Sequence, residues 1–239
     1  WESPQATLLD ASEAKYERIC RKLQLSPADH VIEIGGGWGG FALYAARHYG
    51  CHLTTTTISP AQYHFARQQI EAAGLKHRVE LLQQDYRQLS GRYDKLVSIE
   101  MVEAVGHRYL GGFFRKCGQL LKPDGAMLLQ AITIPDQRYD AYRRSVDFIQ
   151  RPVFPGGCLP SVEAVTHHTA RETELRLLHL EDLGSHYAQT LEAWRARFHA
   201  AWNRAGGEKP LDSFPEEFRR LWDFYLCYCI GAFRERQIG

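Results

Sequence analysis

The 239-residue chain is predicted to adopt an α/β fold, in which helices cover both faces of a mostly parallel β-sheet. Two observations predict this fold class. Short β-rich runs alternate with segments of helical periodicity through the first half of the chain, and this order is typical of parallel strands joined by right-handed crossovers. The first run, residues 31–34, leads into a loop with five glycines in the six positions 35–40, which indicates that a ligand approaches the backbone closely.

The individual elements follow from residue spacing and capping residues. Strands are predicted at residues 31–34, 53–58, 78–82, 95–99 and 127–133, with a sixth at 175–180. Helices are predicted at residues 12–23, 41–49, 109–121, 136–150, 188–202 and 214–233, and a turn at 122–125 is predicted to precede the fifth strand. A further helix is predicted to start at Ser59 and Pro60, because serine caps helix starts and proline suits the first turn.

Composition excludes several classes of protein. We expect one domain over residues 1–239, since 44% of the residues are hydrophobic and 24% are charged. A net charge of +1 argues against a nucleic-acid binder. Six cysteines without a C-x-x-C pair or a metal-ligand spacing indicate reduced thiols, a cytoplasmic protein and no metal site. No apolar run approaches the roughly 18 residues of a membrane span.

The glycine loop matches G-x-G-x-x-G at Gly35, Gly37 and Gly40, a motif shared by dinucleotide and S-adenosylmethionine sites. A nicotinamide enzyme usually has an acid about 20 residues further on, whereas the second strand here ends in a run of threonines. Glu33, two residues before the loop, is typical of methyltransferases that bind S-adenosylmethionine, and so is Asp85 after the third strand. The alternatives are a tight turn for the glycines and a solvated loop position for Asp85.

Six blocks in sequence order carry a resemblance to a family. The chain resembles the cyclopropane-fatty-acyl-phospholipid synthases and mycolic acid cyclopropane synthases in VIEIGGGWGG at 31–40, TISPAQ at 57–62, VSIEMVEAVGH at 97–107, FPGGCLP at 154–160, HYAQTLEAW at 186–194 and YLCYCIGAFR at 225–234. The blocks extend over nearly the whole chain. Together they are far more specific than a glycine motif.

The resemblance implies a class I methyltransferase fold with a seven-stranded sheet, the last strand of which would follow Gly239. It also implies a helical lid from residues 134–175 and 186–236. The expected reaction transfers the methyl carbon of S-adenosylmethionine to the cis double bond of an unsaturated phospholipid acyl chain, and the resulting carbocation loses a proton as a cyclopropane ring closes. The cofactor, released as S-adenosylhomocysteine, is expected along Glu33, Gly35, Gly36, Gly37, Trp38, Gly39, Thr57, Ile58, Ser59, Gln62, Asp85 and Tyr86.

The base in this family is a bound bicarbonate, which the resemblance places beside a glutamate, a histidine, a tyrosine and backbone amides. By motif, the glutamate is Glu103 and the tyrosine is Tyr187; their alternatives are an acid at a helix start and a core aromatic. Cys229 matches a cysteine sometimes assigned to the family's active site. The chemistry needs no thiol nucleophile, so packing is the alternative for Cys229.

One departure concerns the product. The family's Leu-Leu-His-Thr-Ile is Leu-Leu-Gln-Ala-Ile here, which places Gln130 at the histidine position. Glutamine donates hydrogen bonds but relays no proton, so bicarbonate binding and ring closure are open. The alternatives are a lipid C-methyltransferase giving a methyl-branched or methylene product, a small-molecule methyltransferase, and a non-catalytic lipid- or cofactor-binding protein.

The substrate and the partners are expected to be lipids. Aromatic side chains in the second half are candidates for an acyl channel, with a lid core as the alternative: Tyr139, Tyr142, Phe148, Phe154, Phe224, Tyr225, Tyr228 and Phe233. Four arginines are candidates for peripheral contact with an anionic membrane on its cytoplasmic side, with a solvated helix face as the alternative: Arg138, Arg143, Arg144 and Arg151. The oligomeric state is open, with a homodimer as one option.

Overall fold

A parallel five-stranded sheet forms the centre of the fold. The structure is a computed structural model that describes Trp1, Ser3 and residues 5–203 and 214–239. The strands are β1 (His30–Ile34), β2 (His52–Thr57), β3 (Val79–Gln83), β4 (Tyr93–Ile99) and β5 (Leu121–Gln130), in the order β3-β2-β1-β4-β5. Every pair is parallel, which confirms the predicted fold class. Of the seven strands expected, the described residues form these five.

Three helices cover one face of the sheet: α1 (Leu8–Leu23), α2 (Gly40–Tyr49) and α3 (Pro60–Ala72). Thr7 caps α1 in a capping box with Asp10. Ser59 caps α3 and Pro60 lies in its first turn, as predicted. Small buried side chains such as Ala45 let α2 pack closely on the strands. This packing fixes the start of α2 at the end of the glycine loop.

The opposite face packs against α4 (Leu110–Leu120), α5 (Asp136–Tyr142) and α6 (Val162–Glu172). Phe113 and Phe114 of α4 are fully buried there, with Ile32 and Leu96 of the sheet. The two halves of the core therefore hold β1 and β4 between them. The carboxyl ends of these two strands form the centre of the upper edge, where open α/β sheets bind ligands.

Two long helices, α7 (Gly184–Trp202) and α8 (Glu216–Arg234), pack on each other around Leu191 and Leu226. Asp223 of α8 joins them, because its carboxylate accepts hydrogen bonds from Arg195 Nε at 2.7 Å and His199 Nε2 at 2.6 Å. The expected lid region therefore contains a helix pair with its own apolar core. Part of that region, residues 204–213, lies outside the described residues.

Three predictions of elements were wrong. Residues 175–180 form no strand: the run has no neighbouring strand among the described residues, and Leu178 is 91% exposed. The helix predicted at 136–150 ends at Tyr142, and turns follow. The turn predicted at 122–125 lies within β5, where a register irregularity opposite β4 accommodates the extra residues.

None of the helices in the described ranges combines the length and apolar character needed to cross a lipid bilayer.

Candidate active site

The glycine loop bends sharply between β1 and α2. Gly35, Gly37 and Gly39 have φ angles of +85°, +55° and +87°, a region that other L-residues rarely adopt. The amides of Gly35 and Gly36 both donate to the carbonyl oxygen of Thr56, at 3.1 and 2.9 Å. These bonds hold the loop against the end of β2, so the site has a fixed floor.

Neighbouring side chains leave no room for a Cβ atom at Gly35 or Gly36. A Cβ at Gly36 would overlap Thr55 Oγ1 and lie 2.9 Å from Glu33 Oε2. A Cβ at Gly35 would lie 2.6 Å from Met101 Cγ. The cluster therefore has a steric cause as well as a conformational one.

Glu33 lies beneath the loop and is 2% exposed. Its Oε2 accepts one hydrogen bond, from Thr55 Oγ1 at 2.6 Å. Burial raises the pKa of Glu33 to about 7, although the Thr55 bond acts in the opposite direction. A buried carboxylate with one neutral donor is suited to receive a cationic ligand group, such as the α-ammonium group of an amino acid.

The end of β2 adds a polar network and an open apolar surface. Thr57 Oγ1 donates to Gln62 Oε1 at 2.8 Å and accepts from the Ser59 amide at 3.2 Å. Ile58 between them is 73% exposed, and Trp38 on the loop is 56% exposed. Exposed apolar side chains beside a buried carboxylate provide a surface on which a flat aromatic ring can lie.

Asp85 and Tyr86 follow β3 in a short 3-10 turn. Both carboxylate oxygens of Asp85 accept bonds from Arg87, at 2.9 and 2.7 Å, and these bonds hold the pKa of Asp85 below its usual range. Tyr86 packs edge-on against Phe113. The role of Asp85 toward an adenine amino group stays a prediction; here its carboxylate faces Arg87.

Glu100 is the acid that directly follows β4, and its φ angle is +52°. Its Oε1 accepts from Gln130 Nε2 at 2.6 Å, and its Oε2 accepts from the Tyr187 hydroxyl. Lys15 Nζ lies 3.9 Å from Oε1. Two strand ends, α1 and α7 therefore converge on one carboxylate. Non-glycine residues with positive φ occur preferentially at functional sites.

Glu103 lies one short turn further on. Its Oε1 accepts from the Ile132 amide at 2.6 Å, while Oε2 is buried without a hydrogen-bond partner. Burial raises the pKa of Glu103 to about 7, and the nearby Glu100 carboxylate adds to the shift. The FPGGCLP block supports this turn, because the Cys158 amide donates to the Glu103 carbonyl at 2.8 Å. Glu103 and Glu100 form a pair of acids at the end of β4.

Tyr187 and Cys229 both lie on the α7–α8 pair, but only Tyr187 reaches the acids. The Tyr187 ring stacks on Phe233 at 4.7 Å, which aims its hydroxyl at Glu100. Cys229 packs in the core of the two helices, and burial raises the pKa of its thiol to about 11. Its thiol is therefore protonated at neutral pH, which favours the packing alternative.

The eight aromatic candidates for an acyl channel fall into two groups. Tyr139, Tyr142 and Phe233 are core residues of the fold. The other five form a surface cluster between the 143–154 segment and α8 with two sets of ring contacts: Phe148 with Phe224 and Tyr228 at 4.7 and 5.8 Å, and Phe154 with Tyr225 at 6.0 Å. Several of them are exposed. The surface cluster is the part of the set that is open to a lipid.

The glycine loop fits S-adenosylmethionine, whereas the residues around the paired acids do not fit bicarbonate. S-adenosylmethionine fits the cradle formed by the loop at residues 35–40, because nothing lies within 4 Å of the Cβ position of Gly37 and the buried Glu33 carboxylate lies beside Gly36. Bicarbonate does not fit, because the donors assigned to it are already engaged. Gln130 and Tyr187 donate to Glu100, and the Ile132 amide donates to Glu103.

Sequence reasoning missed Glu100, Lys15 and Tyr16. The Tyr16 hydroxyl approaches the loop so closely that a Cβ at Gly40 would lie 2.5 Å from it, and the nearby Glu33 and Glu100 contribute to the raised pKa of Tyr16 after burial. The available signal for Glu100 was its position directly after a strand whose carboxyl end faces the crevice. No local motif marks Lys15 or Tyr16, since α1 reaches the site only through tertiary packing.

A cavity lined by histidines and charged side chains lies elsewhere. It has a volume of about 340 Å³ and is lined by His30, His52, His77 and Arg78, at the amino ends of the strands. Ligands of open parallel sheets bind at the carboxyl ends, so we assign the site to the loop and the acids.

Comparisons with known proteins agree with the resemblance. The sequence profile of the family described as mycolic acid cyclopropane synthetase matches residues 1–239. The chain is 41% identical over 227 residues to tuberculostearic acid methyltransferase UfaA1 of Mycobacterium tuberculosis, covering 95% of this chain and 52% of that protein. It is 39% identical over 232 residues to the cyclopropane-fatty-acyl-phospholipid synthase of Escherichia coli strain K12, covering 97% and 56%. The chain thus spans about half the length of these curated relatives.

Two solved structures share the fold. The mycolic acid cyclopropane synthase CmaA1, complexed with SAH and CTAB, has a TM-score of 0.89 at 28% identity, covering 100% of this chain and 85% of that one. The cyclopropane synthase MmaA2 from Mycobacterium tuberculosis has a TM-score of 0.88 at 27% identity, covering 99% and 84%. With the profile match over the full sequence, these likenesses lead to one conclusion: the chain belongs to the mycolic acid cyclopropane synthetase family.

Proposed function

We propose that the protein transfers the methyl carbon of S-adenosylmethionine to the cis double bond of an unsaturated phospholipid acyl chain. The observation that carries this proposal is the closeness of two features at the upper edge of the sheet. Met101, which follows Glu100, touches the Gly35 position, so the paired acids Glu100 and Glu103 adjoin the cofactor cradle. When bound, the sulfonium supplies an electrophilic methyl group. The chain's own residues then have to orient the alkene and remove a proton.

The roles follow from the contacts. Glu33 binds the cationic amino-acid end of the cofactor, and the apolar surface at Ile58 and Trp38 receives its adenine ring. The aromatic cluster between the 143–154 segment and α8 receives the acyl chain. Aromatic faces also stabilise a carbocation through their quadrupoles, by roughly 0.5 to 2 kcal/mol each in a dry site.

The product depends on which new bond is formed by the electron pair of the broken C–H bond. Ring closure gives a cyclopropane, and this outcome is supported by the name of the Escherichia coli relative. Loss of the proton with formation of a new double bond gives a methylene-branched chain, and this second candidate is favoured by Gln130, which occupies the histidine position and relays no proton. The two products are isomers of equal mass. They differ in their reaction with hydrogen, which adds readily to the alkene alone.

The experiment that tests the function supplies methyl-labelled S-adenosylmethionine and a phospholipid with a cis-monounsaturated chain. We expect label in the acyl chain and one S-adenosylhomocysteine released for each label transferred. NMR of the released acyl chains, before and after catalytic hydrogenation, distinguishes ring from alkene. Label that enters no lipid although the protein binds S-adenosylmethionine would contradict the proposal and favour a small-molecule methyltransferase or a binding protein.

A membrane surface is the partner we propose for the outer face of the lid. The 143–154 segment exposes Val146 and Phe154, and Phe224 and Tyr228 are exposed on α8 nearby. Arg144 and Arg151 are exposed on the same segment. Apolar side chains flanked by arginines are suited to the interface of an anionic bilayer. Arg138 and Arg143, the other two arginines of the predicted face, are engaged with Gln237 and Asp140.

A further inference from the structure

We infer that the carboxylate of Glu100 is the base that takes the proton from the carbocation, in place of a bound bicarbonate. The inference rests on the proposed function, because it names the group that completes that reaction. It begins from the mismatch between the donors available at the acids and the free anion that the family resemblance implies. Each donor assigned to that anion already serves a carboxylate of the chain.

The hydrogen-bond donors near the paired acids are already engaged by the chain's own carboxylates. Gln130 Nε2 lies 2.6 Å from Glu100 Oε1, and the Tyr187 hydroxyl donates to Oε2. The Ile132 amide, the backbone donor at this end of β5, is 2.6 Å from Glu103 Oε1. An anion placed here would have to displace one of the two glutamates. It would also lie beside both negative charges, which costs free energy in a partly dry site.

The backbone of Glu100 adopts a left-handed conformation. Glu100 has a φ angle of +52° directly after a strand, whereas the other two described non-glycine residues with positive φ, Gln24 and Arg236, lie just after the ends of helices. Such a conformation costs an L-residue with a side chain more than it costs glycine. The side chain at this position is thus retained against a local cost. The two donors and the nearby Lys15 ammonium give the carboxylate a function consistent with that cost.

The Glu100 carboxylate still has lone pairs that can accept a proton. A carboxylate offers about four lone-pair positions, and each oxygen of Glu100 accepts one hydrogen bond. Glu103 is less suited, because its free oxygen Oε2 is buried and has no hydrogen-bond partner that could relay a proton. Glu100 is 22% exposed and Lys15 Nζ is 3.9 Å away, so a proton taken up by Glu100 has a path to solvent.

The step balances without an added oxidant or reductant. The π pair of the alkene forms a bond to the donor methyl carbon while the sulfur–carbon bond breaks and its electron pair stays on sulfur. A hydride shift moves the positive charge to the carbon that bears the new methyl group. Glu100 then takes a proton from that methyl group, and the C–H electron pair becomes the second bond of a methylene group. A saturated methyl branch would need a hydride donor, so it is not proposed.

The first test removes the base but keeps its shape. We expect Glu100→Gln to lower formation of the methylene-branched lipid by about 10²- to 10⁴-fold, the usual contribution of a general base, while binding of S-adenosylhomocysteine measured by calorimetry stays at the wild-type value. Glu13→Gln, at an exposed acid on α1, is the matched control and should label lipid at the wild-type rate. Unchanged formation of the methylene-branched lipid by Glu100→Gln, with wild-type protein active, would overturn the inference while leaving the proposed function intact.

The second test uses the free anion. We expect wild-type labelling to be the same in carbon-dioxide-free buffer and in buffer with added bicarbonate. Glu100→Gly removes the carboxylate and relieves the backbone, so added formate or bicarbonate should restore part of its activity and leave wild type and Glu13→Gln unaffected. A wild-type rate that rises on adding bicarbonate would overturn the inference. Wild-type protein that labels no lipid in any buffer would instead contradict the proposed function.

Discussion

At the scale of single residues, the site depends on acids in three different environments. Glu33 is fully enclosed with one threonine donor, Glu103 is buried with one oxygen unpaired, and Glu100 is held by side chains from other elements. Burial raises the pKa of the first two, because an apolar environment disfavours the charged form. The same residue type is thereby held in three different protonation environments in one crevice.

The buried acids predict how stability depends on pH. The folded state holds the protons of Glu33 and Glu103 up to about pH 7, whereas the unfolded chain releases them near its ordinary value of 4.5. These two acids therefore bind more protons in the folded state in this window, and their contribution to the free energy of unfolding should fall as pH rises through it, by about 1.4 kcal/mol for each pKa unit of difference. Urea denaturation at a series of pH values measures the slope.

The matching variant is Glu103→Gln, which cannot lose a proton. We expect its free energy of unfolding to fall less steeply between pH 4.5 and 7 than that of wild type, with Glu33 supplying the residual slope. Glu13→Gln should keep the wild-type slope, since that acid is exposed. Parallel profiles for wild type and Glu103→Gln would refute the assignment of a raised pKa to this residue.

A third residue-scale prediction concerns the thiol on α8. We expect Cys229→Ala to retain lipid labelling within about fivefold of wild type, because a thiol with a pKa of about 11 is neutral at the working pH and packs among apolar side chains. The cost should appear in stability instead, at roughly 1 kcal/mol. Tyr187→Phe, which removes a hydroxyl bonded to Glu100, is the comparison that should reduce labelling. A Cys229→Ala protein that binds S-adenosylhomocysteine but labels no lipid would make the thiol catalytic.

At the scale of elements, the glycine loop joins β1 to α2 with two constraints at once. Positive φ angles occur at Gly35, Gly37 and Gly39, and Gly36 and Gly40 face Thr55 and Tyr16 at distances that exclude a Cβ. The loop is therefore specified by its neighbours on β2 and α1 as much as by its own conformation.

Substitution of one glycine tests this constraint. We expect Gly36→Ala to reduce the free energy of unfolding by roughly 1 to 3 kcal/mol and to weaken cofactor binding, because its Cβ would overlap the Thr55 hydroxyl. Gly112→Ala on α4 is the control, since nothing lies within 4 Å of its Cβ and the helix should gain roughly 0.5 to 1 kcal/mol. Thermal unfolding and calorimetric titration measure both effects. Equal stability of the two variants would show that the loop can shift enough to accommodate a Cβ at Gly36.

The sequence predicted elements best where local pattern and tertiary role agree. Alternating runs located β1 to β5, and Ser59 with Pro60 located the start of α3, because caps and apolar spacing act locally. Glu33 and the glycines of the loop were also identified from the sequence alone. The strand expected at 175–180 was wrong because a strand exists only with a partner. Glu100, Lys15 and Tyr16 were missed because their role arises from elements far apart in sequence.

At the scale of the whole molecule, the α7–α8 pair connects the paired acids to the outer surface. Tyr187 reaches Glu100 from the inner side of the pair, while Phe224 and Tyr228 are exposed on α8 beside the 143–154 segment. A chain bound along this pair would lead from the surface toward the acids. The surface cluster and the site are thus parts of one path in the proposed function.

Vesicle binding tests the surface at this scale. We expect Arg144→Glu combined with Arg151→Glu to weaken binding to vesicles of anionic phospholipid by at least about tenfold, since each arginine near such a surface contributes about 1 kcal/mol. Binding of wild type should fall as salt is added. Arg47→Glu on α2, also exposed, is the control and should bind like wild type. Equal binding to neutral and anionic vesicles would remove the case for an electrostatic membrane contact.

The left-handed backbone at Glu100 has a consequence for how this protein could change in evolution. Glutamate and glycine codons differ by a single nucleotide, and glycine is the residue that this φ angle accommodates with least strain. One point mutation would therefore delete the tethered base and relax the main chain in the same event, while Gln130 and Tyr187 would become available to a dissolved anion. A single substitution can thus separate an enzyme whose base is a side chain from one whose base is an anion bound from solution.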